Sequence, residues 1–125
     1  MVEMKVKPEF LRLLRAGIKK NEYRLNHPKY DGLNVGDTIK LVCDNNPDDF
    51  IFKKIKGIKT YYNWIDALMD NWESDFKGLF YSLDQLLQEV GNFYTQQEIN
   101  KYGIKVFNLG EIDKENIEYN SKFQY

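Results

Sequence analysis

The chain has 125 residues, 42% hydrophobic and 30% charged, with a formal net charge of −1. This length suits one domain with its own core, and the small net charge excludes a basic surface over the whole molecule. No apolar run reaches the ~18 residues of a membrane span, and a single cysteine, Cys43, excludes an internal disulfide or a thiolate metal cluster.

The positive charge lies in the first third of the chain. Residues 1–40 contain nine Lys or Arg against five Asp or Glu, whereas residues 41–125 contain nine against fourteen. We therefore expect an anionic ligand to bind the N-terminal third, although a solvated face would show the same asymmetry. The first ten residues lack the apolar stretch of a secretory signal, so we expect a cytoplasmic protein.

The first part of the chain predicts three strands and one helix. Residues 3–7 alternate between polar and apolar and predict a short strand. Pro8 then suits the first turn of a helix, which Gly17 ends in a left-handed conformation. Residues 20–25 predict a second strand and residues 38–43 a third, separated by a loop.

The next segment predicts a turn followed by a long strand. Residues 44–49, DNNPDD, consist of residues that favour turns, so we expect a turn over the whole segment. Residues 50–61 predict a strand, in which Gly57 marks a bulge or bend.

The remaining elements begin at helix-capping residues. Asn63 predicts the start of a helix through residue 70. The sequence contains two capping boxes, Ser-x-x-Gln from Ser82 and Thr-x-x-Glu from Thr95, and each predicts that a helix starts after its first residue. Residues 104–109 predict a last strand. About five strands, several of them alternating, with interspersed helices indicate an α+β protein with a small mixed or antiparallel barrel.

The sequence GIKKNEYR, residues 17–24, is the main candidate for a binding site. Glu22 and Arg24 share one face of the predicted strand, whereas Tyr23 faces the opposite side. An arginine fork binds phosphate or a base edge, Lys19 adds a point charge or a base, and Glu22 can hold both. Spacing alone favours the alternative, an exposed, salt-bridged strand face.

Aromatic residues add further candidates. Tyr62, Tyr94 and Tyr102 combine a ring that can stack on a base with a hydroxyl that needs a partner or water, so we expect them to line a cleft. Trp64 and Phe93 are expected in the core. We expect no metal and no cofactor: one histidine has no partner at ligand spacing, and the common phosphate loops are absent.

The order of these features resembles the ASCH domain, the activating signal cointegrator homology domain of the PUA-like superfamily. The resemblance rests on Gly17, Lys19, Glu22 and Arg24, on the Gly-Asp pair at residues 36–37, and on FYTQQEINKYGIKVFNL at residues 93–109. It spans nearly the whole chain and implies an ASCH domain over residues 1–112, followed by a polar tail, residues 113–125.

The resemblance implies a small PUA-like mixed β-barrel of about five or six strands with surrounding helices. It also implies that RNA or a nucleotide binds in a cleft beside the barrel, lined by Lys19, Glu22 and Arg24. We therefore predict an RNA- or nucleotide-binding domain with no membrane association.

Two alternatives stay open. Some members of the family are small hydrolases that act on N4-acetylcytidine, and others have been described as ribonucleases. Lys19 and Glu22 would then be catalytic, but Glu22 stands where those amidohydrolases carry threonine. The second alternative is a protein-interaction domain, in which Trp64, Trp72 and Phe76 form a partner surface within an acidic segment.

Overall fold

A computed structural model describes residues 1–112, so the predicted polar tail lies outside the described residues. Five strands form one mixed sheet in the order β1-β3-β4-β5-β2. The strands are β1 (Glu3–Val6), β2 (Asn21–Leu25), β3 (Thr38–Cys43), β4 (Asn46–Tyr61) and β5 (Ile104–Gly110). Strands β1 and β3 are parallel, and the other neighbours are antiparallel. The sheet curls into a half-barrel, which confirms the predicted α+β class.

Five helices accompany the sheet: α1 (Pro8–Arg15), α2 (Trp64–Asp70), α3 (Trp72–Asp75), α4 (Leu83–Gly91) and α5 (Gln96–Tyr102). Both predicted capping boxes are present, at Ser82 and at Thr95, and the side chain of Asn63 caps α2. Gly17 follows α1 with a φ of 73°, in the left-handed region predicted for it. No helix among residues 1–112 is long and apolar enough to cross a membrane.

The two faces of the sheet are covered by different hydrophobic clusters. Residues of β1, β3, β4 and β5 pack with α1 on the concave face, around the fully buried Phe107. On the opposite face, Leu25 and Val106 pack with Trp64 and Ile99 from the helices. A third cluster, centred on Leu68, Phe76 and Leu86, joins α2 and α4 to the segment after α3.

Strand β4 is longer than predicted, and the turn before it is shorter. Residues 46–49 belong to β4, so only residues 44 and 45 form the turn. The register jumps from Val42 opposite Phe50 to Cys43 opposite Asn46, which leaves Pro47 in an irregular stretch. Proline is tolerated there because no regular ladder hydrogen bond is required of it. A second register shift, before Gly57, is the predicted bulge.

Candidate functional site

The central residues of GIKKNEYR lie in a cleft between the sheet and the helices. The cleft has a volume of about 410 Å³ and is lined by residues of β1, β2, α1, α2 and α4 and of the segments that follow α3 and α4. Lys19, Glu22 and Arg24 all line it, together with Tyr94. This volume lies in the range of small-molecule sites.

The two remaining predicted tyrosines lie elsewhere. Tyr62 is 91% exposed and does not line the cleft. Tyr102 packs against the helix-side cluster, with its ring 5.2 Å from that of His27, and does not line the cleft either. Of the six predicted site residues, the structure therefore brings four to one place.

Arg24 spans the open edge of the half-barrel. Its Nη2 donates a hydrogen bond of 2.7 Å to the carbonyl oxygen of Lys5 on β1 and lies 3.4 Å from Oε2 of Glu22. Its Nε is buried and has no hydrogen-bond partner among residues 1–112. Burial acts to lower the pKa of Arg24, but the charge and hydrogen bond of Glu22, together with the nearby Tyr30 and Tyr94, raise the pKa by more, so the guanidinium stays charged. Arg24 therefore brings a cation to the cleft and keeps one buried, unpaired donor behind it.

Glu22 is nearly buried and held as a hydrogen-bond acceptor. Its Oε1 accepts a bond of 3.0 Å from the backbone N–H of Tyr23, and its Oε2 faces the Arg24 guanidinium. Glu22 lies opposite Phe107 of β5, and Tyr23 opposite Val106, so the strand presents them to the two faces, as predicted.

Lys19 is only 4% exposed, although most lysines are solvated. Its Nζ donates to the carbonyl oxygen of Asn21 and lies 4.8 Å from the centre of the Tyr23 ring. Burial lowers the pKa of Lys19, and the negative charges of Glu22 and Asp75 oppose that shift only in part. A buried amine with a lowered pKa can release its proton more easily than a surface lysine.

Asp75 in α3 organises this segment and was not predicted from the sequence. Its Oδ1 accepts hydrogen bonds from the backbone N–H groups of Lys20 and Asn21, at 2.6 and 3.2 Å. Its Oδ2 accepts from the Asn21 side chain at 3.0 Å and from the hydroxyl of Tyr23. One aspartate within an acidic segment gives no sequence signal for such a role.

The wall opposite β2 is aromatic and apolar. Trp64 lines the cleft and stacks on Tyr94, with ring centres 5.7 Å apart and planes at 23°. The indole N–H of Trp64 is buried and, within the described part of the chain, has no partner.

Phe93 also lines the cleft but is 63% exposed, so its predicted place in the core is wrong. It lies in the short turn after α4, where the ring meets Lys7 rather than the core.

The cleft carries charges of both signs. Lys5, Lys7, Lys19 and Arg24 line it with Glu22, Asp44 and Glu89. Lys7 and Glu89 form an ion pair that joins the end of β1 to α4. Among residues 1–112, no three His, Cys, Asp or Glu side chains are grouped as a metal site requires.

The proposed partner surface around Trp64, Trp72 and Phe76 is not available in this fold. Trp64 and Phe76 are 5% and 2% exposed, because both belong to hydrophobic clusters between the helices. Only Trp72 is partly exposed.

Comparison with known proteins gives no match to a family model and none to a curated protein. Among solved structures, the hypothetical protein PH0355 is 25% identical, with a TM-score of 0.70 over 88% of this chain and 97% of that one. Protein PF0455 from Pyrococcus furiosus is 23% identical, with a TM-score of 0.65 over 90% and 97%. A single-substitution variant of the ASCH protein from Zymomonas mobilis is 15% identical, with a TM-score of 0.58 over 97% and 81%. The chain therefore has an ASCH-like fold, as its sequence predicts.

Proposed function

We propose that the cleft binds a nucleotide unit, either free or within single-stranded RNA. The observation that carries the proposal is the convergence of Lys19, Glu22 and Arg24 on one open cleft opposite the Trp64–Tyr94 pair. Nucleotide sites combine cations for the phosphate with aromatic rings on which a base stacks. The similarity in fold to a solved ASCH protein is compatible with this proposal.

Each group has a distinct role in this proposal. The Arg24 guanidinium and Lys19 supply positive charge for a phosphate or carbonyl oxygen of the ligand. Glu22, held as an acceptor, can receive a hydrogen bond from a base amino group. The aromatic pair provides the apolar wall against which a base packs.

The test compares Arg24→Ala with Arg12→Ala in fluorescence-anisotropy titrations of labelled single-stranded RNA and of nucleoside monophosphates. Arg12 is a matched control, because it is an exposed arginine on α1 that does not line the cleft. Loss of charge-assisted hydrogen bonds should weaken binding about tenfold or more in Arg24→Ala and leave Arg12→Ala close to the parent. Equal affinity in the parent and Arg24→Ala would remove the cleft as the binding site.

Hydrolysis of an acylated nucleoside or of RNA is the second candidate. It is favoured by the lowered pKa of Lys19, which burial produces beside the Glu22 carboxylate. A neutral Lys19 amine could accept a proton from the attacking water, and Glu22 could position that water. Incubation with N4-acylcytidines and RNA, followed by chromatography, should then show turnover that Lys19→Met and Glu22→Gln abolish. Absence of turnover over the whole panel leaves binding alone.

A further inference from the structure

A second cavity adjoins the cleft and is walled by three helices. It has a volume of about 460 Å³ and is lined by residues from α2, α4 and α5 and from the residues that flank them. Trp64, Val90 and Tyr94 line both cavities, so they form the boundary that the two share. The two cavities therefore meet at the stacked aromatic pair.

The second cavity differs from the cleft in its charge. No Lys, Arg, His, Asp or Glu lines it, whereas seven such residues line the cleft. Two of its polar residues, Asn63 and Thr95, already use their side-chain oxygens to cap α2 and α5. A phosphate would lose its hydration in this cavity without meeting a cation. An uncharged planar group, such as a nucleobase, would meet aromatic and aliphatic walls instead.

Trp64 supplies a hydrogen-bond donor at the shared boundary. Its Nε1 is buried and has no partner in the part of the chain that the structure describes. A buried donor without an acceptor raises the free energy of the unliganded protein. A small shift of the indole towards either cavity would let a ligand oxygen restore the missing hydrogen bond.

We propose that the site takes two successive nucleotides of one RNA strand, one on each side of the Trp64–Tyr94 pair. This inference rests on the proposed function, because the charged cleft must hold the first nucleotide. The phosphate-bearing unit lies with Lys19 and Arg24, and the neighbouring base lies in the uncharged cavity. The ligand is thus a strand of at least two nucleotides rather than a free mononucleotide.

The experiment blocks the second cavity without touching the cleft. Ile65 on α2 lines only the second cavity and is 50% exposed, so Ile65→Trp fills that cavity from its rim. Met69→Trp is the matched control, since Met69 lies one turn further along α2, is 54% exposed and lines neither cavity. Gln96→Trp repeats the block from α5, which keeps the test valid if Ile65→Trp does not fold.

Calorimetric titrations with dinucleotides and with the corresponding mononucleotides give the readout. The parent should bind a dinucleotide about tenfold more tightly than a mononucleotide, because stacking of one more base contributes that much affinity. Ile65→Trp and Gln96→Trp should abolish this gain without changing the affinity for mononucleotides, and Met69→Trp should retain it.

Equal affinity of the parent for mononucleotides and dinucleotides, or a gain that survives both blocking variants, would overturn the second subsite. The proposed function would survive that result as long as Arg24→Ala still weakened binding. If neither ligand bound the parent, both proposals would fail together.

Discussion

The Asp75 carboxylate is the hydrogen-bond centre of the segment that carries the candidate site. It is 2% exposed and accepts bonds from four donors of residues 20–23. Two of these donors are backbone N–H groups that precede or begin β2, so Asp75 fixes the main chain beside Lys19 as well as the side chains. If the Asp75 carboxylate is removed, all four donors lose their hydrogen-bond acceptor.

Asp75→Asn should destabilise the protein by about 1–3 kcal/mol. The NH₂ group of the asparagine is itself a donor, and it would face donor groups where the carboxylate now accepts their hydrogen bonds. Urea unfolding followed by circular dichroism measures this loss. Asp70→Asn is the control: Asp70 also accepts bonds from a lysine and a tyrosine, but it is solvent-exposed on α2, so its loss should matter much less. Equal losses in both variants would show that Asp75 has no special role.

Lys19→Met should change how stability depends on pH. Burial lowers the pKa of Lys19 in the folded state below its ordinary value of 10.5, so the folded protein binds fewer protons than the unfolded chain between those two pKa values. The stability that Lys19 contributes therefore rises with pH in that window. The difference in stability between the parent and Lys19→Met should therefore move in favour of the parent as the pH rises towards 10.5.

Urea unfolding of the parent and of Lys19→Met at a series of pH values gives this difference directly. Subtracting the two curves removes the contribution of tyrosines that titrate in the same range. A difference that stayed constant with pH would mean that Lys19 is not desolvated as the structure indicates.

At the scale of elements, the junction between α5 and β5 depends on Gly103. It has a φ of 72°, and a Cβ there would lie 2.6 Å from the carbonyl oxygen of Tyr61. This close approach joins the end of α5 to the end of β4, beside the first residue of β5.

Gly103→Ala should therefore cost more stability than Gly36→Ala. Gly36 also has a positive φ, of 98°, but has open space around it. The loss of stability in Gly36→Ala should therefore come from backbone strain alone, about 1–2 kcal/mol. Gly103→Ala adds a collision with backbone, which we expect to raise the loss above that value. Thermal and urea unfolding measure both variants, with Gly32→Ala as a further control in open space at an ordinary φ. Similar losses at Gly103 and Gly36 would contradict the predicted collision.

The elements that the sequence predicted correctly are those with local signals. Caps at Asn63, Ser82 and Thr95 set helix starts through bonds within four residues, and alternation identified β1 and β2. The turn at residues 44–49 was overpredicted because Asn46 pairs with Cys43 of β3, which extends β4 through the irregular stretch that contains Pro47.

The candidate site was predictable only in part, for a similar reason. The placement of Lys19, Glu22 and Arg24 follows from one short strand and its entry, which the sequence motif marks. The opposite wall comes from residues 40 or more positions away, and its members depend on how α2 and α4 pack. Nothing local distinguishes Trp64, which lines the cleft, from an ordinary core tryptophan, or marks Asp75 as the partner of β2.

At the scale of the whole molecule, the net charge of −1 limits how RNA can bind. Contact should be local, through about two cations, because the four cations that line the cleft stand beside three carboxylates, one of which pairs with Lys7. The logarithm of the observed binding constant falls linearly with the logarithm of the salt concentration, and for single strands each neutralised phosphate contributes about −0.7 to the slope. Two phosphate contacts therefore predict a slope of about −1.4.

Anisotropy titrations of single-stranded RNA over a range of salt concentrations measure this slope. Arg24→Ala should flatten it by about 0.7, the contribution of one contact. A parental slope of about −3 or steeper would require a wider basic surface and would contradict a cleft-centred site.

The bond from Arg24 to the Lys5 carbonyl has a consequence for solubility. Strand β1 is an edge of the sheet, and its carbonyl groups on the side away from β3 form a template to which a strand of another molecule can add. The Arg24 guanidinium donates a hydrogen bond to one of these carbonyls, that of Lys5, and places a positive charge at the edge. Removing it frees the edge for intermolecular pairing, so variants at this position should self-associate more readily than the parent at high concentration.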